Sequence, residues 1–353
     1  MISTPTVSFI VCTNGYGHFK RVTHVCAHLV RQYPGIQVNI FCAAFHLTNT
    51  QNWSDVVFLS GKSSVKFFTA PMDDAPTWGN NYTLNRYTLW RQSLLGIKEL
   101  SASQLVISDN YTAPLGLFAK VALMGSFLWH NILQNTGNDG QVINFEKQVL
   151  DEAGKPPMIC QAGMAMPAVL NQTQALPMPW FCERVEGQPE KTTNTGNILV
   201  TGGGTTLSDA VLLECLAELI KKTGLTVFTD SKLFNKSRDA GLPLTKFSYT
   251  DEDFAALDMI VCRPGIGILT DAVKYKVPVM CMAESGNPEM DFNSLRVNEL
   301  GIGKNMMGFT ADRVVETINQ LYAKTELQHM RTNIAGLATG GAVAAADYIY
   351  SQL

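Results

Sequence analysis

The segment Asn14-Gly15-Tyr16-Gly17-His18-Phe19-Lys20-Arg21 follows an apolar run, Val7-Ser8-Phe9-Ile10-Val11-Cys12. The pattern predicts a buried strand, a glycine turn and a helix that opens on a histidine. An imidazole, which titrates near neutral pH, is thereby set at the carboxyl edge of a sheet, where open α/β folds bind ligands. The chemistry open to it is proton transfer. A second segment, Thr201-Gly202-Gly203-Gly204-Thr205-Thr206, follows the strand-like Asn197-Ile198-Leu199-Val200. Its glycines let backbone amides approach a ligand with no Cβ in the way, and a helix predicted from near Leu207 adds its positive end. With two threonine hydroxyls, the loop suits a diphosphate; a plain tight turn would use the same glycines. It fits neither Gly-x-x-x-x-Gly-Lys-Ser/Thr nor Gly-x-Gly-x-x-Gly, so neither an NTPase nor a dinucleotide enzyme is indicated.

Downstream, Met259-Ile260-Val261-Cys262-Arg263-Pro264-Gly265-Ile266-Gly267-Ile268-Leu269-Thr270-Asp271 describes a strand, an Arg-Pro-Gly turn and a helix carrying Asp271 in its early turns. A carboxylate there, beside a phosphate-cradling loop, is placed to accept hydrogen bonds from ribose hydroxyls. Asn287-Pro288-Glu289-Met290-Asp291-Phe292-Asn293 enters another helix, with Glu289 and Asn293 one turn apart and able to face one pocket.

These segments need strands and helices in alternation to hold them. In the first half, residues 19–33 have helical spacing, with Val22, Val25, Cys26, Leu29 and Val30 forming an apolar face. Strands are expected at 37–43, 56–59 and 65–68, a helix at 85–100, and a strand at 105–108 running into Asp109. Another helix and a strand near 123–129 follow. From 164 to 195 the pattern dissolves into prolines and a polar run, which reads as an interdomain connection. Alternation then resumes, with strands at 225–229, 259–262 and 277–282. Residues 340–353 read as an amphipathic helix with Val343, Ala346, Tyr350 and Leu353 on one face. The expected fold is α/β, two Rossmann-like doubly wound domains at 1–175 and 195–335, followed by a last helix at 340–353.

Composition supports a well-buried globular chain: 46% of the 353 residues are apolar and 16% charged. Net charge is −3 without any lysine/arginine run, so no nucleic-acid partner is expected. The eight cysteines are scattered without a Cys-x-x-Cys pair, which reads as reduced core cysteines. No apolar run approaches membrane-spanning length, and the amino terminus lacks a leader pattern; a cytoplasmic location is expected.

Taken in order along the chain, these motifs resemble the GT-B glycosyltransferases. The likeness is to the branch containing the bacterial N-acetylglucosaminyltransferase of lipid II synthesis and the UDP-glycosyltransferases. The resemblance implies two Rossmann-like domains facing a central cleft, with the last helix at 340–353 crossing back to the first domain. It implies that Gly15, Gly17 and His18 meet an acceptor, with His18 as the base, although a histidine at a helix start is often only a solvated or capping residue. Gly202, Gly203, Gly204 and Thr205 would contact the donor diphosphate, Arg263, Gly265 and Gly267 would line the donor turn, and Asp271 would hold the ribose. Where many relatives have Asp-Gln this chain has Glu289-Met290, and where they have Asn-Ala it has Asn293-Ser294.

Arg21 shares a face with His18 and would contact phosphate or solvent. His24 and His28 read as packing or surface residues. Asp109 would either orient His18, as the third member of a triad does, or serve as a helix cap or turn residue. Trp78, Tyr82 and Tyr87 could line an acceptor cleft or belong to the core. The implied reaction is metal-independent transfer from a nucleoside-diphosphate sugar, a UDP-sugar first, to a small-molecule, lipid or glycan acceptor. No cofactor or metal is expected, because no Asp-x-Asp motif of the kind that metal-dependent glycosyltransferases use to hold a cation is present. Two alternatives stand beside it. The UDP-sugar hydrolases of pseudaminic acid synthesis share the scaffold and a similar Gly-x-Gly-His-x-x-Arg segment. A catalytically silent nucleotide-sugar binder or partner subunit would keep the donor loops alone.

Overall fold

A computed structural model describes residues 4–69, 71–72, 75, 83–133, 140–185, 187, 191–202, 209–283, 286–307, 310–323 and 325–353. The chain divides into two compact units, Met1–Phe181 with Gly340–Leu353, and Cys182–Thr339.

The first unit is built on strands β1 (Thr6–Ile10), β2 (Gln37–Phe41), β3 (Val65–Phe68), β4 (Leu105–Asp109), β5 (Val121–Met124), β6 (Pro157–Gln161) and β7 (Gln174–Met178). They form one parallel sheet in the order β3-β2-β1-β4-β5-β6-β7. The strand order reverses between β1 and β4, which pair with Val7 opposite Leu105 and Ile10 opposite Ser108. Loops leaving the carboxyl ends of two such strands diverge and open a crevice there. The helix Tyr16–Gln32 buries Phe19, Val22, Val25, Cys26, Leu29 and Val30, the stripe that its three-and-four spacing foretells.

The last helix, Gly341–Ser351, packs on Tyr16–Gln32 within this same unit. It buries Ala342, Ala345, Ala346 and Ile349, while Tyr350 is exposed. Small side chains let two helices approach closely, so the alanine row wins over the bulkier face expected from sequence. Tyr350 stacks on Tyr33 at 3.6 Å, and Tyr33 Oη donates to Asp347 at 2.9 Å.

Three expectations are corrected. Residues 56–59 lie in a helix, Ser54–Ser60, with Val56 and Leu59 buried and Val57 exposed, a spacing of three rather than alternation. Between β4 and β5 the described chain makes turns and no helix. The stretch read as a connection carries the helix Pro167–Gln172 and strand β7. Pro167 opens that helix, where its missing N–H is no loss, and Pro177 sits on an edge strand.

The second unit contains β8 (Asn197–Thr201), β9 (Thr226–Thr229), β10 (Thr245–Lys246), β11 (Met259–Cys262), β12 (Val279–Ala283) and β13 (Gly303–Met307). All pair in parallel, in the order β10-β9-β8-β11-β12-β13, with the reversal between β8 and β11. At the amino ends, buried Asp258 accepts from the N–H groups of Thr195 (2.8 Å), Gly196 (2.6 Å) and Asn197 (3.2 Å) and pairs with Lys191 at 2.7 Å. All eight cysteines are buried and free. Among the described residues no helix is long and apolar enough to cross a membrane.

Candidate functional site

In the first unit the two strands at the order reversal deliver the site. Gly15, at φ +93° and ψ 177°, turns the chain out of β1 and starts the helix Tyr16–Gln32. Few L side chains adopt that backbone shape. His18 lies in the first turn of the helix and Arg21 one turn on, on the same face. Opposite stands Asp109, the last residue of β4. His18 Nδ1 lies 3.2 Å from Asp109 Oδ1, with the His18 side chain 12% exposed and Asp109 fully buried. Arg21 Nη2 donates to the same Oδ1 and reaches Asn110 Oδ1 at 3.2 Å and His18 Nδ1 at 3.3 Å.

Further residues hold this cluster in shape. Asn110 takes a left-handed conformation, φ 59°, and its Nδ2 donates to the Phe127 carbonyl at 2.8 Å. Gly125 lies against it: a Cβ there would come within 1.9 Å of Asn110 Oδ1. The Phe127 ring meets His18 edge-on at 5.9 Å. His46 Nε2 donates to the Gly15 carbonyl at 3.0 Å, and its ring stacks on Phe19 at 4.8 Å. Tyr111 Oη accepts from the Thr13 N–H at 3.1 Å.

Electrostatics separate the two histidines. Burial lowers the pKa of His46 to about 4, so the ring stays neutral and acts as a fixed donor to Gly15. Burial also pulls His18 down, but the Cys12 thiol and then the Asp109 carboxylate raise it by more, to about 10. Nδ1 is turned toward Asp109, and the Cys12 thiol is a second hydrogen-bond partner of the ring.

Arg21 therefore faces Asp109 rather than solvent, and Asp109 is a buried ion-pair partner rather than a helix cap. His24 belongs to another cluster, bonding Asp55 through Nδ1 at 2.7 Å and meeting the His28 ring edge-on at 4.9 Å. Tyr87 is core, buried and bonded to Thr112 Oγ1 at 3.0 Å. Trp78 and Tyr82 lie outside the described residues.

In the second unit, Gly202 is buried just past β8, whereas Gly203, Gly204, Thr205 and Thr206 lie outside the described residues. The helix that follows runs through Asp209–Thr223. The Arg263 N–H donates to the Thr201 carbonyl at 3.4 Å, so the turn after β11 abuts the end of β8. Gly265 N–H closes that turn onto the Arg263 carbonyl at 2.8 Å and caps the helix Ile266–Tyr275, which contains Gly267 and buried Asp271. Asn293 is fully buried and its Nδ2 donates to the Pro264 carbonyl at 2.9 Å, tying the helix Pro288–Glu299 to the turn. Glu289 is partly exposed at the start of that helix, where the Asn287 side chain accepts its N–H at 3.1 Å. Sequence reasoning passed over Asp230, which caps the helix Ser231–Asp239 and accepts from Thr201 Oγ1 at 2.9 Å. It also passed over Tyr249, held at φ 62°. The signal for Asp230 was its place at a strand end before a serine-led helix.

One Asp-x-Asp spacing is present, Asp251-Glu252-Asp253. Asp253 forms a capping box with Thr250, and Asp251 bonds Lys274 at 3.2 Å and the Tyr275 hydroxyl. Those carboxylates are committed to a helix start.

No protein-family model and no curated protein matches this sequence. Solved structures do match in fold. The calicheamicin glycosyltransferase CalG4 is 13% identical, covers 99% of each chain and gives a TM-score of 0.66. LpCGTa in complex with UDP is 14% identical over 99% of each chain, with a TM-score of 0.69. Phytolacca americana UGT2, complexed with UDP-2fluoro-glucose and pterostilbene, is 13% identical over 99% of this chain and 98% of its own, with a TM-score of 0.66. At that identity the likeness is one of fold: the chain has the α/β fold of the GT-B glycosyltransferases.

Proposed function

We propose that this protein is a glycosyltransferase that moves a sugar from a nucleoside-diphosphate donor, a UDP-sugar first, to an acceptor hydroxyl. The observation that carries the reading is the His18–Asp109 pair at the strand-order reversal of the first sheet. Asp109 orients the ring through Nδ1, and Nε2 removes the acceptor proton as its oxygen attacks the anomeric carbon. Gly202, Gly203, Gly204 and Thr205 with the helix behind them take the diphosphate, Arg263, Gly265 and Gly267 line the donor turn, and Asp271 accepts from the ribose. Backbone amides and the helix end stabilise the leaving diphosphate, so no metal is required. Solved structures of this fold that hold UDP or a UDP-sugar analogue support a UDP-sugar as the donor.

The segment Gly15-Tyr16-Gly17-His18-Phe19-Lys20-Arg21 keeps one rival, hydrolysis of the same donor by water. Incubating the protein with a panel of nucleotide-sugars, with and without a mixed acceptor library, separates the readings. Transfer predicts slow release of nucleoside diphosphate that rises sharply with the right acceptor. Fast release of free sugar, indifferent to acceptor, assigns a hydrolase. Tight nucleotide binding without turnover of any donor assigns a silent binder and ends the transfer reading.

A further inference from the structure

Arg21 is the least expected member of the cluster. One nitrogen, Nη2, meets three groups: Asp109 Oδ1, Asn110 Oδ1 at 3.2 Å and His18 Nδ1 at 3.3 Å. A guanidinium only donates. Its contact with Nδ1 is a hydrogen bond only when Nδ1 carries no proton. The contact between Nδ1 and Asp109 Oδ1 at 3.2 Å is a hydrogen bond only when Nδ1 does carry one. The two bonds exclude each other, and they specify opposite tautomers of the neutral ring. With the proton on Nδ1, Nε2 has a free lone pair and can act as a base. With Arg21 donating to Nδ1, the proton sits on Nε2 and that nitrogen can only donate.

We propose that Arg21 is a positioning residue that shares Asp109 with His18 and competes for His18 Nδ1, so that the guanidinium sets which imidazole nitrogen holds the proton and how readily the ring gives it up. The inference deepens the transfer reading and rests on it for its catalytic meaning, though not for its chemistry. Arg21 is held for the task. It is nine-tenths buried on the helix Tyr16–Gln32, and the left-handed turn at Asn110 presents a second acceptor to the same nitrogen. Other groups face the ring: Cys12 beyond β1, which raises its affinity for a proton, and neutral His46 from the helix Ala44–Thr50. Tyr111 lies beyond β4, its hydroxyl pushed up chiefly by burial, and burial likewise pushes up the Cys160 thiol on β6, with Arg21 opposing it. Arg21 is the cation in hydrogen-bond contact with His18, and a like charge there favours the neutral ring.

The test follows the His18 ring by nitrogen-15 NMR in histidine-labelled protein, with the signal assigned by its loss in His18→Gln. Arg21→Gln removes the charge and should raise the His18 titration midpoint by about 1 pH unit or more. The proton of the neutral ring should then move to Nδ1, toward an Asp109 that His18 no longer shares. Arg21→Lys keeps the charge and should keep the midpoint near the parental value. An unchanged midpoint in Arg21→Gln, or equal shifts in both variants, overturns the proposal. Should Arg21→Gln fail to fold, the parent decides: the Arg21 guanidinium signal must shift as His18 titrates, and that shift must vanish in His18→Gln. A guanidinium signal indifferent to His18 sinks the idea. These spectra need no turnover, so loss of the transfer reading leaves this result standing. Conversely, sugar transfer with an unmoved midpoint defeats only the role of Arg21.

Discussion

Replacing Asp109 with asparagine tests the cluster most directly. The substitution keeps the shape of the side chain and removes its charge. In the parent, Asp109 is fully buried and Arg21 is 8% exposed, so solvent screens their attraction little. Breaking one partner of a buried pair leaves the other charge uncompensated, at a cost of about 3–5 kcal/mol. Asparagine still offers an Oδ1 acceptor, which places the expected loss near the lower end, about 3 kcal/mol. The pH dependence has a definite sign. In the folded protein the pKa of His18 is raised from 6.5 to about 10, so its contribution to stability is full below 6.5 and is lost as pH climbs through about 10. Without the carboxylate, burial weighs more, the midpoint falls, and that decline moves to lower pH. Urea unfolding at about pH 6, 8 and 10 measures both effects. Trp90 and Trp129, each 1% exposed in the first unit, supply a fluorescence signal. A variant as stable as the parent at all three values, with the same slope against pH, would refute the buried pair.

Other outcomes follow from the same geometry. His18→Ala should cost on the order of 10²–10⁴ in sugar turnover while nucleotide still protects the protein in thermal melts. If His18 is the proposed base, the turnover of the parent should rise with pH well past the ordinary histidine range, because only the neutral ring can accept a proton and its pKa is raised to about 10. A plateau reached below pH 6.5 would contradict this. Gly125→Ala puts a Cβ 1.9 Å from Asn110 Oδ1 at φ +150° and should destabilise the first unit by about 3 kcal/mol, as read by urea unfolding. Asp271→Ala should weaken UDP binding by about 1–3 kcal/mol in calorimetry, and unchanged affinity would remove it from the donor site. For Asp258, whose pKa burial raises but Lys191 and backbone donors lower further, the net shift is downward. Its stabilisation should therefore hold above about pH 4 and fade on further acidification, and Asp258→Asn should remove that acid sensitivity from the melting curve.

Much of this organisation was legible in the chain as written. The continuous apolar run Met259–Cys262, closed by an Arg-Pro-Gly turn, reads as a strand buried on both faces, and alternation with helical spacing pointed to parallel sheets. The positions of His18 at a helix start, Asp109 and Gly202 at strand ends and Asp271 within a helix came from local pattern alone. Local pattern also failed in places. Residues 56–59 are four apolar or aromatic neighbours, which suit a strand or a helix, and only packing against Tyr16–Gln32 made them helical. Pro177 looked like a breaker because nothing in a sequence announces an edge strand.

What only the tertiary structure decided is the partnership of charges. The sequence separation of His18 and Asp109 is 91 residues, and they meet because β1 and β4 are neighbours at the point where strand order reverses. Arg21 was visible as a residue one turn past His18. That it turns inward, shares a carboxylate and competes for one imidazole nitrogen depends on the left-handed turn at Asn110 and on the bare α-carbon at Gly125. Residue types and short-range spacing determined which groups could do chemistry. Which proton each one holds was left to burial and to neighbours supplied from far along the chain.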